Sequence, residues 1–250
     1  MMNIMARTPI TCVQTSAYPL LAGLSATFLC TEPPGIMGYV SDPEQLVRAA
    51  AAAGVGDPRV LDAVRAVPRA GFVPPHLAGR AYQDEPLPIP RGQVTTQPSL
   101  VARMVEALGL EGSERVLEVG AGYGWQTALL ARLCGFVWAV ERFADVAEAA
   151  RENLTRFGVA NAEVVEGDGT EGLSEHAPYG AILVAAAFPS VPRPLEEQLA
   201  AGGRLVQPVG PGGREEVVLF EKGPRNLVRL QVVAGASFVK LHGAHAFPEE

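Results

Sequence analysis

Val116-Leu117-Glu118-Val119-Gly120-Ala121-Gly122-Tyr123-Gly124 reads as an apolar strand running into a glycine turn that opens a helix. Glycine lets the backbone approach a ligand with no Cβ in the way, at the C-terminal end of a strand, where open α/β sheets bind their ligands. Such a turn can also serve only to pack a strand against a helix. Two acids further on change the reading. Glu141 closes the next strand, 21 residues after Gly120, a position from which a carboxylate can accept hydrogen bonds from both hydroxyls of a ribose. Asp168, in Gly167-Asp168-Gly169, ends the third strand on the same sheet edge, within reach of an adenine amino group. Three signals on successive strand ends point to a nucleoside.

Outward from this stretch, short apolar runs alternate with helical segments in the manner of a βαβ protein. The expected strands run Arg115 to Val119, Phe136 to Val140, Ala162 to Glu166 and Ala181 to Ala185. Helices are expected from Gly124 to Leu133, Ala144 to Phe157 and Pro192 to Ala201. Four further strands, near Arg204 to Val206, Glu216 to Glu221, Leu227 to Val233 and Ser237 to Leu241, follow without intervening helices. The fold class is therefore α/β: a doubly wound, mostly parallel Rossmann-like sheet with an antiparallel C-terminal section.

Upstream, Leu100, Val101, Met104, Val105 and Leu108 share one helical face. Asp42 as N-cap with Pro43 behind it starts a helix that stops at Gly54, and a second helix from Pro58 carries Val60, Leu61 and Val64 before Pro68 ends it. Between Gly71 and Pro98 the chain is rich in proline and glycine with little periodicity, which predicts a long ordered loop or lid of the kind that carries function. One compact domain is expected over residues 37–250, made of N-terminal helices and a substrate loop (37–110) and a nucleoside-binding core (111–250). Residues 1–36 read as a disordered or dispensable extension, because the first clear helix signal comes only after them; the apolar stretch from Ala17 to Cys30 is shorter than a membrane span, and a secretory signal is the alternative reading.

With 250 residues, 48% hydrophobic and 19% charged, the chain can bury one substantial core. A net charge of -7 with no run of Lys or Arg argues against nucleic acid as a partner. Cys12, Cys30 and Cys134 are odd in number and widely spaced, which suits a reducing compartment, so a cytoplasmic protein is expected. His242 and His245 lack a sequence-adjacent third ligand, and no metal site is expected. Gly210-Pro211-Gly212-Gly213 precedes Arg-Glu-Glu and reads as a turn, not a phosphate loop.

The glycine spacing separates two kinds of nucleoside. A dinucleotide fingerprint is G-x-G-x-x-G, whose pyrophosphate rests on a helix N-terminus, whereas Gly120, Gly122 and Gly124 make G-x-G-x-G. Glu118, two residues before the first glycine, would repel a pyrophosphate and suits a cationic amino-acid tail. As E-x-G-x-G the stretch resembles the class I S-adenosylmethionine-dependent methyltransferases.

The flanking sequence narrows the resemblance. Val67-Pro68-Arg69 with Phe72-Val73-Pro74, Ala81-Tyr82-Gln83-Asp84 with Pro86-Leu87, Gly92-Gln93-Val94-Thr95-Thr96-Gln97-Pro98, Gly167-Asp168-Gly169, Ala177-Pro178-Tyr179, Gln198-Leu199 with Gly202-Gly203-Arg204-Leu205-Val206, and Pro208-Val209-Gly210 occur in this order. Together they resemble the protein-L-isoaspartate O-methyltransferase family from about Val60 to Gly243. The resemblance implies methyl transfer from S-adenosylmethionine, leaving S-adenosylhomocysteine, to the α-carboxylate of isoaspartyl residues in damaged proteins and peptides. The ester then closes to a succinimide off the enzyme. A soluble monomer is expected, with no membrane partner.

In the family's loop a serine hydroxyl is catalytic, and the aligned residue here is Thr96, which keeps the hydroxyl but adds a methyl that restricts its rotamer. Asp84 matches the loop aspartate and is expected to orient the substrate or the hydroxyl. The resemblance adds Thr95, Gln97, Arg142 and Gly169 to the cofactor-binding set of Glu118, Gly120, Gly122, Gly124, Glu141 and Asp168. At Ala185-Ala186-Ala187-Phe188 the family has small residues, so Phe188 is expected to make the strand end bulkier. Thr96 and Phe188 leave room for a rival reading, a related enzyme acting on another peptide or small-molecule carboxylate. A non-catalytic isoaspartyl-binding module is the second rival, and the retained cofactor residues argue against it.

Overall fold

The computed structural model describes residues 42–211 and 213–248; the expectations for residues 1–36 lie outside them. The chain enters with helix α1 (Pro43–Ala52), where Asp42 Oδ1 accepts from the Glu44 amide at 3.1 Å. Helix α2 (Pro58–Ala66) repeats the device, Asp57 Oδ1 accepting from the Arg59 amide at 2.8 Å. Each cap satisfies an amide that the first helical turn leaves unpaired, and each proline sits where no donor is needed.

The segment read as one long loop is more structured than expected. Two short 3-10 turns, Arg69–Phe72 and Pro75–Arg80, precede a hairpin of β1 (Leu87–Ile89) and β2 (Gln93–Thr95), paired antiparallel with Leu87 opposite Thr95. Strands of three residues between prolines have no period to detect, which is why the hairpin escapes a pattern reading. Helix α3 (Pro98–Ala107) follows, burying Val101, Met104 and Val105.

The main sheet then forms in the expected alternation: β3 (Arg115–Val119), α4 (Trp125–Ala131), β4 (Phe136–Glu141), α5 (Ala144–Arg156), β5 (Ala162–Glu166), β6 (Tyr179–Val184), α6 (Arg193–Gln198), β7 (Leu199–Val209), β8 (Glu215–Lys222) and β9 (Leu227–Ala236). Its order is β5-β4-β3-β6-β7-β8-β9. The first five strands in that order are parallel, and β8 and β9 add antiparallel. Alternation of side chains along the strands divides the core. Val116, Val137, Leu183 and Val206 pack on the face that carries α1 to α5, while Leu117, Val140, Ile182 and Leu205 pack on the face that carries α6.

Two expectations fail near the C-terminus. The helix expected to reach Ala201 ends at Gln198, and β7 begins at once. Ser237 to Leu241 forms no strand; Ala187 and Lys240 make only an isolated bridge. Instead Leu241 N donates to Ala187 O and Ala187 N to Val239 O, both at 2.8 Å, which draws this segment across the C-terminal edge of the sheet. Bulges interrupt the pairing of β9 with β8 between Val217 and Val218 and between Leu219 and Phe220.

Candidate active site

The parallel strands end together. Gly120 N donates to Val140 O at 2.8 Å, Ala185 N to Val119 O at 2.8 Å and Gly167 N to Glu141 O at 3.0 Å, so three strand ends and their following turns share one edge. Above that edge opens a cleft, at the place where open α/β sheets bind their ligands. Gly120, Gly122, Glu141, Arg142 and Gly169 line it, with Thr95 and Thr96 from the loop. Gly120 and Gly122 have φ of 91° and 54°, values unfavourable for side chains, and a Cβ on Gly122 would point toward Ile89 at 3.7 Å. The turn therefore presents bare backbone to the cleft, a shape suited to a closely held ligand.

Glu141 is buried. Its Oε2 accepts from Gly122 N at 3.0 Å and its Oε1 from Phe143 N at 3.2 Å. Burial raises its pKa, opposed by these amides and by the Arg142 amide and charge. Three amides leave the carboxylate part of its capacity of about four acceptor positions, so it can receive a further donor, such as a ribose hydroxyl. The Arg142 guanidinium lies over the Phe143 ring, 4.9 Å from its centroid.

Of the residues expected to bind the cofactor, Gln97 lines only an adjoining cleft, and three more, Glu118, Gly124 and Asp168, stand behind this one instead of lining it. Glu118 shares the face of Val116, pointing at α4, where its Oε1 accepts from Gln126 Nε2 at 2.8 Å and its Oε2 from Thr127 Oγ1 at 2.6 Å. It is fully buried, and burial, with the nearby Glu141 adding to it, pushes its pKa up to about 8 against the pull of its two hydrogen-bond donors. Direct contact with a cationic tail does not match this placement; Gln126, which does line the cleft, stands between. Gly124 precedes α4 with φ of 90°, and a Cβ there would meet Leu154 Cγ at 3.4 Å and Ala150 O at 3.5 Å, so this glycine brings α4 against α5.

Asp168 is the third. Its Oδ1 accepts from Thr170 N at 2.9 Å and Thr170 Oγ1 at 2.7 Å, and its Oδ2 accepts from Ala244 N at 2.6 Å. Burial alone would raise its pKa, but the Ala244 and Thr170 hydrogen bonds and the nearby His245 hold it below the usual value. The C-terminal segment thus folds over Asp168, and Val239, Lys240, Leu241 and His242 reach the cleft from that side. Sequence reading missed this strap because it expected a strand there.

A second cleft adjoins the first and shares Val94, Thr95, Thr96, Ala185 and Val239 with it. It runs between α3 and the end of β9, from Gln97 and Ser99 past Leu100 and Arg103 to Ala236 and Phe238. Thr96 stands at the junction, and its hydroxyl makes no hydrogen bond to another described residue. Asp84 lines neither cleft. Its Oδ1 accepts from Ser99 N at 2.8 Å, and its Oδ2 accepts from Ser99 Oγ at 2.7 Å and Gln97 Nε2 at 2.8 Å. Asp84 therefore caps α3 from outside the helix and ties down the residues on either side of Pro98. Phe188 also lies outside both clefts, packed edge-on against Phe247 with ring centroids 5.0 Å apart, so its bulk does not narrow them.

Arg69 is the residue whose role sequence reading did not foresee. Only 1% exposed, it donates from Nη1 to Ala81 O and Gln83 O and from Nη2 to Glu85 O and Thr95 Oγ1. Its place in the Val67-Pro68-Arg69 stretch was legible, but not the four acceptors that converge on it.

A family model described as protein-L-isoaspartate(D-aspartate) O-methyltransferase matches residues 41–246. A protein-L-isoaspartate O-methyltransferase of Methanoculleus marisnigri is 49% identical over 199 residues, covering 80% of this chain and 90% of the relative. Another, of Anaeromyxobacter dehalogenans, is 52% identical over 190 residues, covering 75% of this chain and 91% of the relative. A solved protein-L-isoaspartate O-methyltransferase superposes with a TM-score of 0.71 at 29% identity, over 82% of this chain and 67% of its own. A Plasmodium falciparum structure described in the same terms, in complex with S-adenosyl-L-homocysteine, superposes at 0.66 over 80% of this chain and 97% of its own; at 22% identity it bears on the fold alone.

Proposed function

The chain belongs to the protein-L-isoaspartate(D-aspartate) O-methyltransferase family, and on that premise we propose that it methylates the α-carboxylate of isoaspartyl residues in damaged proteins, using S-adenosylmethionine. The observation that carries this reading is the junction of two clefts at Thr96. One has the bare glycine turn and the buried Glu141 that fit a nucleoside; the other runs between α3 and the end of β9 and gives a peptide carboxylate a second approach to the same threonine. When bound, the cofactor supplies a methyl group activated by a positively charged sulfur.

Little acid-base chemistry is asked of the protein. A carboxylate with an ordinary pKa near ~4 is already an anion at neutral pH and needs no strong base to become a nucleophile. The task is alignment with water excluded. Thr96 Oγ1, at the junction, donates to one carboxylate oxygen and leaves the other directed into the cofactor cleft. Asp84 acts as a positioning residue through Ser99 and Gln97, and Glu141 holds the ribose. Glu118 acts at one remove, by setting the Gln126 side chain.

A monomer in a reducing compartment such as the cytoplasm completes the reading. The two bulges of β9 disrupt the regular ladder that edge-to-edge pairing would require. Cys134 is buried, and burial pushes its thiol up to about 12, so it is an inert core residue. Among the described residues no helix is long and apolar enough to cross a membrane.

The test is incubation of the protein with labelled S-adenosylmethionine and matched isoaspartyl and aspartyl peptides. Methyl incorporation into the isoaspartyl peptide alone is expected. Equal rates on the two would transfer the assignment to an enzyme for another carboxylate.

A further inference from the structure

The second cleft is lined mainly by small and apolar groups, among them Ala53, Leu100, Ala236 and Phe238. Arg103 is the one charged side chain lining it among the described residues. Its Nη2 donates to Val233 O, and no carboxylate of a described residue pairs with it. Several other arginines of this acidic chain do have such partners: Arg65 with Glu44 and Asp62, Arg151 with Glu148, Arg229 with Glu216. A guanidinium carries five N–H donors in a planar fork that matches a carboxylate. One backbone contact leaves most of that fork unused, half-buried in an apolar groove.

Resting on the assignment of this groove to the substrate peptide, we infer that Arg103 selects isoaspartyl chains that carry an acidic side chain a short way along the backbone from the damaged residue. The spacing sets the register. Arg103 is five residues along α3 from Pro98, about 7.5 Å at ~1.5 Å per residue, and Thr96 lies two residues further back. An extended peptide advances about 3.3 Å per residue. With its isoaspartyl carboxylate at Thr96, it brings a side chain about two to four residues away to the guanidinium. The surrounding apolar walls strengthen that ion pair relative to one in open water, and they discriminate against an amide or a lysine at the same place.

The experiment measures kcat/KM of the full-length enzyme on isoaspartyl peptides bearing Glu, Gln or Lys at the second, third or fourth position on either side of the damaged residue. At one register the Glu peptide should exceed its Gln twin roughly five- to thirtyfold, with the Lys peptide poorest, and the advantage should shrink as salt is raised. In Arg103→Gln the Glu-to-Gln ratio should fall to about one, and in Arg103→Glu the Lys peptide should become the best. If Arg103→Gln does not fold, Arg103→Lys, which keeps a charge but loses the fork, should still lower the ratio. Equal rates for Glu and Gln at every position in the parent enzyme, or a ratio unchanged by substitution of Arg103, would overturn the inference. Methylation of isoaspartyl peptides regardless of flanking charge defeats this inference alone, whereas no methylation of any isoaspartyl peptide defeats the assignment beneath it as well.

Discussion

Arg69 Nη2 lies 2.8 Å from Thr95 Oγ1, and the same oxygen accepts from Leu87 N at 3.0 Å. Thr95 is therefore committed to holding the β1–β2 hairpin on a buried guanidinium, and its neighbour Thr96 is the threonine left to act at the junction of the clefts. The Arg69 guanidinium sits 5.6 Å from the Trp125 ring centroid at the start of α4, and burial lowers its pKa to about 10 despite Asp84 and Glu85 nearby. The loop is thus anchored to the helix that follows the glycine turn.

The two threonines should separate experimentally. Thr96→Val keeps the shape, removes the donor and should lower turnover roughly ten- to a thousandfold with little change in cofactor affinity; Thr96→Ser should retain activity. Thr95→Val takes an acceptor from Arg69 and Leu87 and should lose about 1–3 kcal/mol of stability by denaturant titration. A Thr96→Val enzyme as fast as the parent, beside a stable but inactive Thr95→Val, would reverse the assignment.

Asp84→Ala removes the outside cap on α3 and the clamp on Gln97. The expected loss is about 1 kcal/mol of stability with a roughly tenfold fall in kcat, while KM for the cofactor hardly moves. Asp84→Asn, which keeps one carbonyl oxygen for Ser99 N, should fall between. Full kcat in a folded Asp84→Ala enzyme would show that the loop needs no clamp.

Glu141→Ala deletes the proposed ribose acceptor and frees the Gly122 amide. Calorimetry with S-adenosylhomocysteine should show affinity lower by roughly thirtyfold or more, the scale of a lost charged hydrogen-bond acceptor of about 2 kcal/mol or above. Unaltered binding would remove Glu141 from the cofactor site.

Glu118 links stability to pH. Its folded pKa of about 8 lies above the ordinary 4.5, so the stability it contributes is complete below 4.5 and is lost as pH rises to 8. Glu118→Gln is uncharged at every pH and keeps an acceptor for Gln126 or Thr127. The melting temperature of the parent should fall relative to this variant between pH 5 and pH 8 and then run parallel to it. Parallel curves over the whole range would mean that Glu118 is ionised in the fold at neutral pH.

The sheet was legible in the chain because each parallel strand is a short apolar run closed by a turn, and because Gly120, Gly122 and Glu141 carry chemistry that belongs at strand ends. Their meeting at one cleft follows from parallel pairing, which places successive C-terminal ends along one edge. The Thr96 position was legible from the order of the loop residues. What the chain could not disclose is which polar groups satisfy each other across long separations. Period-two alternation places Glu118 beside Val116, but only the packed α4 shows that Gln126 and Thr127 occupy its carboxylate. Gly124 reads like its two neighbours until Leu154 and Ala150 are seen against it. The turn of the C-terminal segment back over Asp168 depends on hydrogen bonds from Ala244, 76 residues away, and the unshared charge of Arg103 depends on which carboxylates fold elsewhere. Local patterns determine the strands, the turns and their ends; a buried hydrogen bond is set by what the completed core brings within 3 Å, and that no local pattern contains.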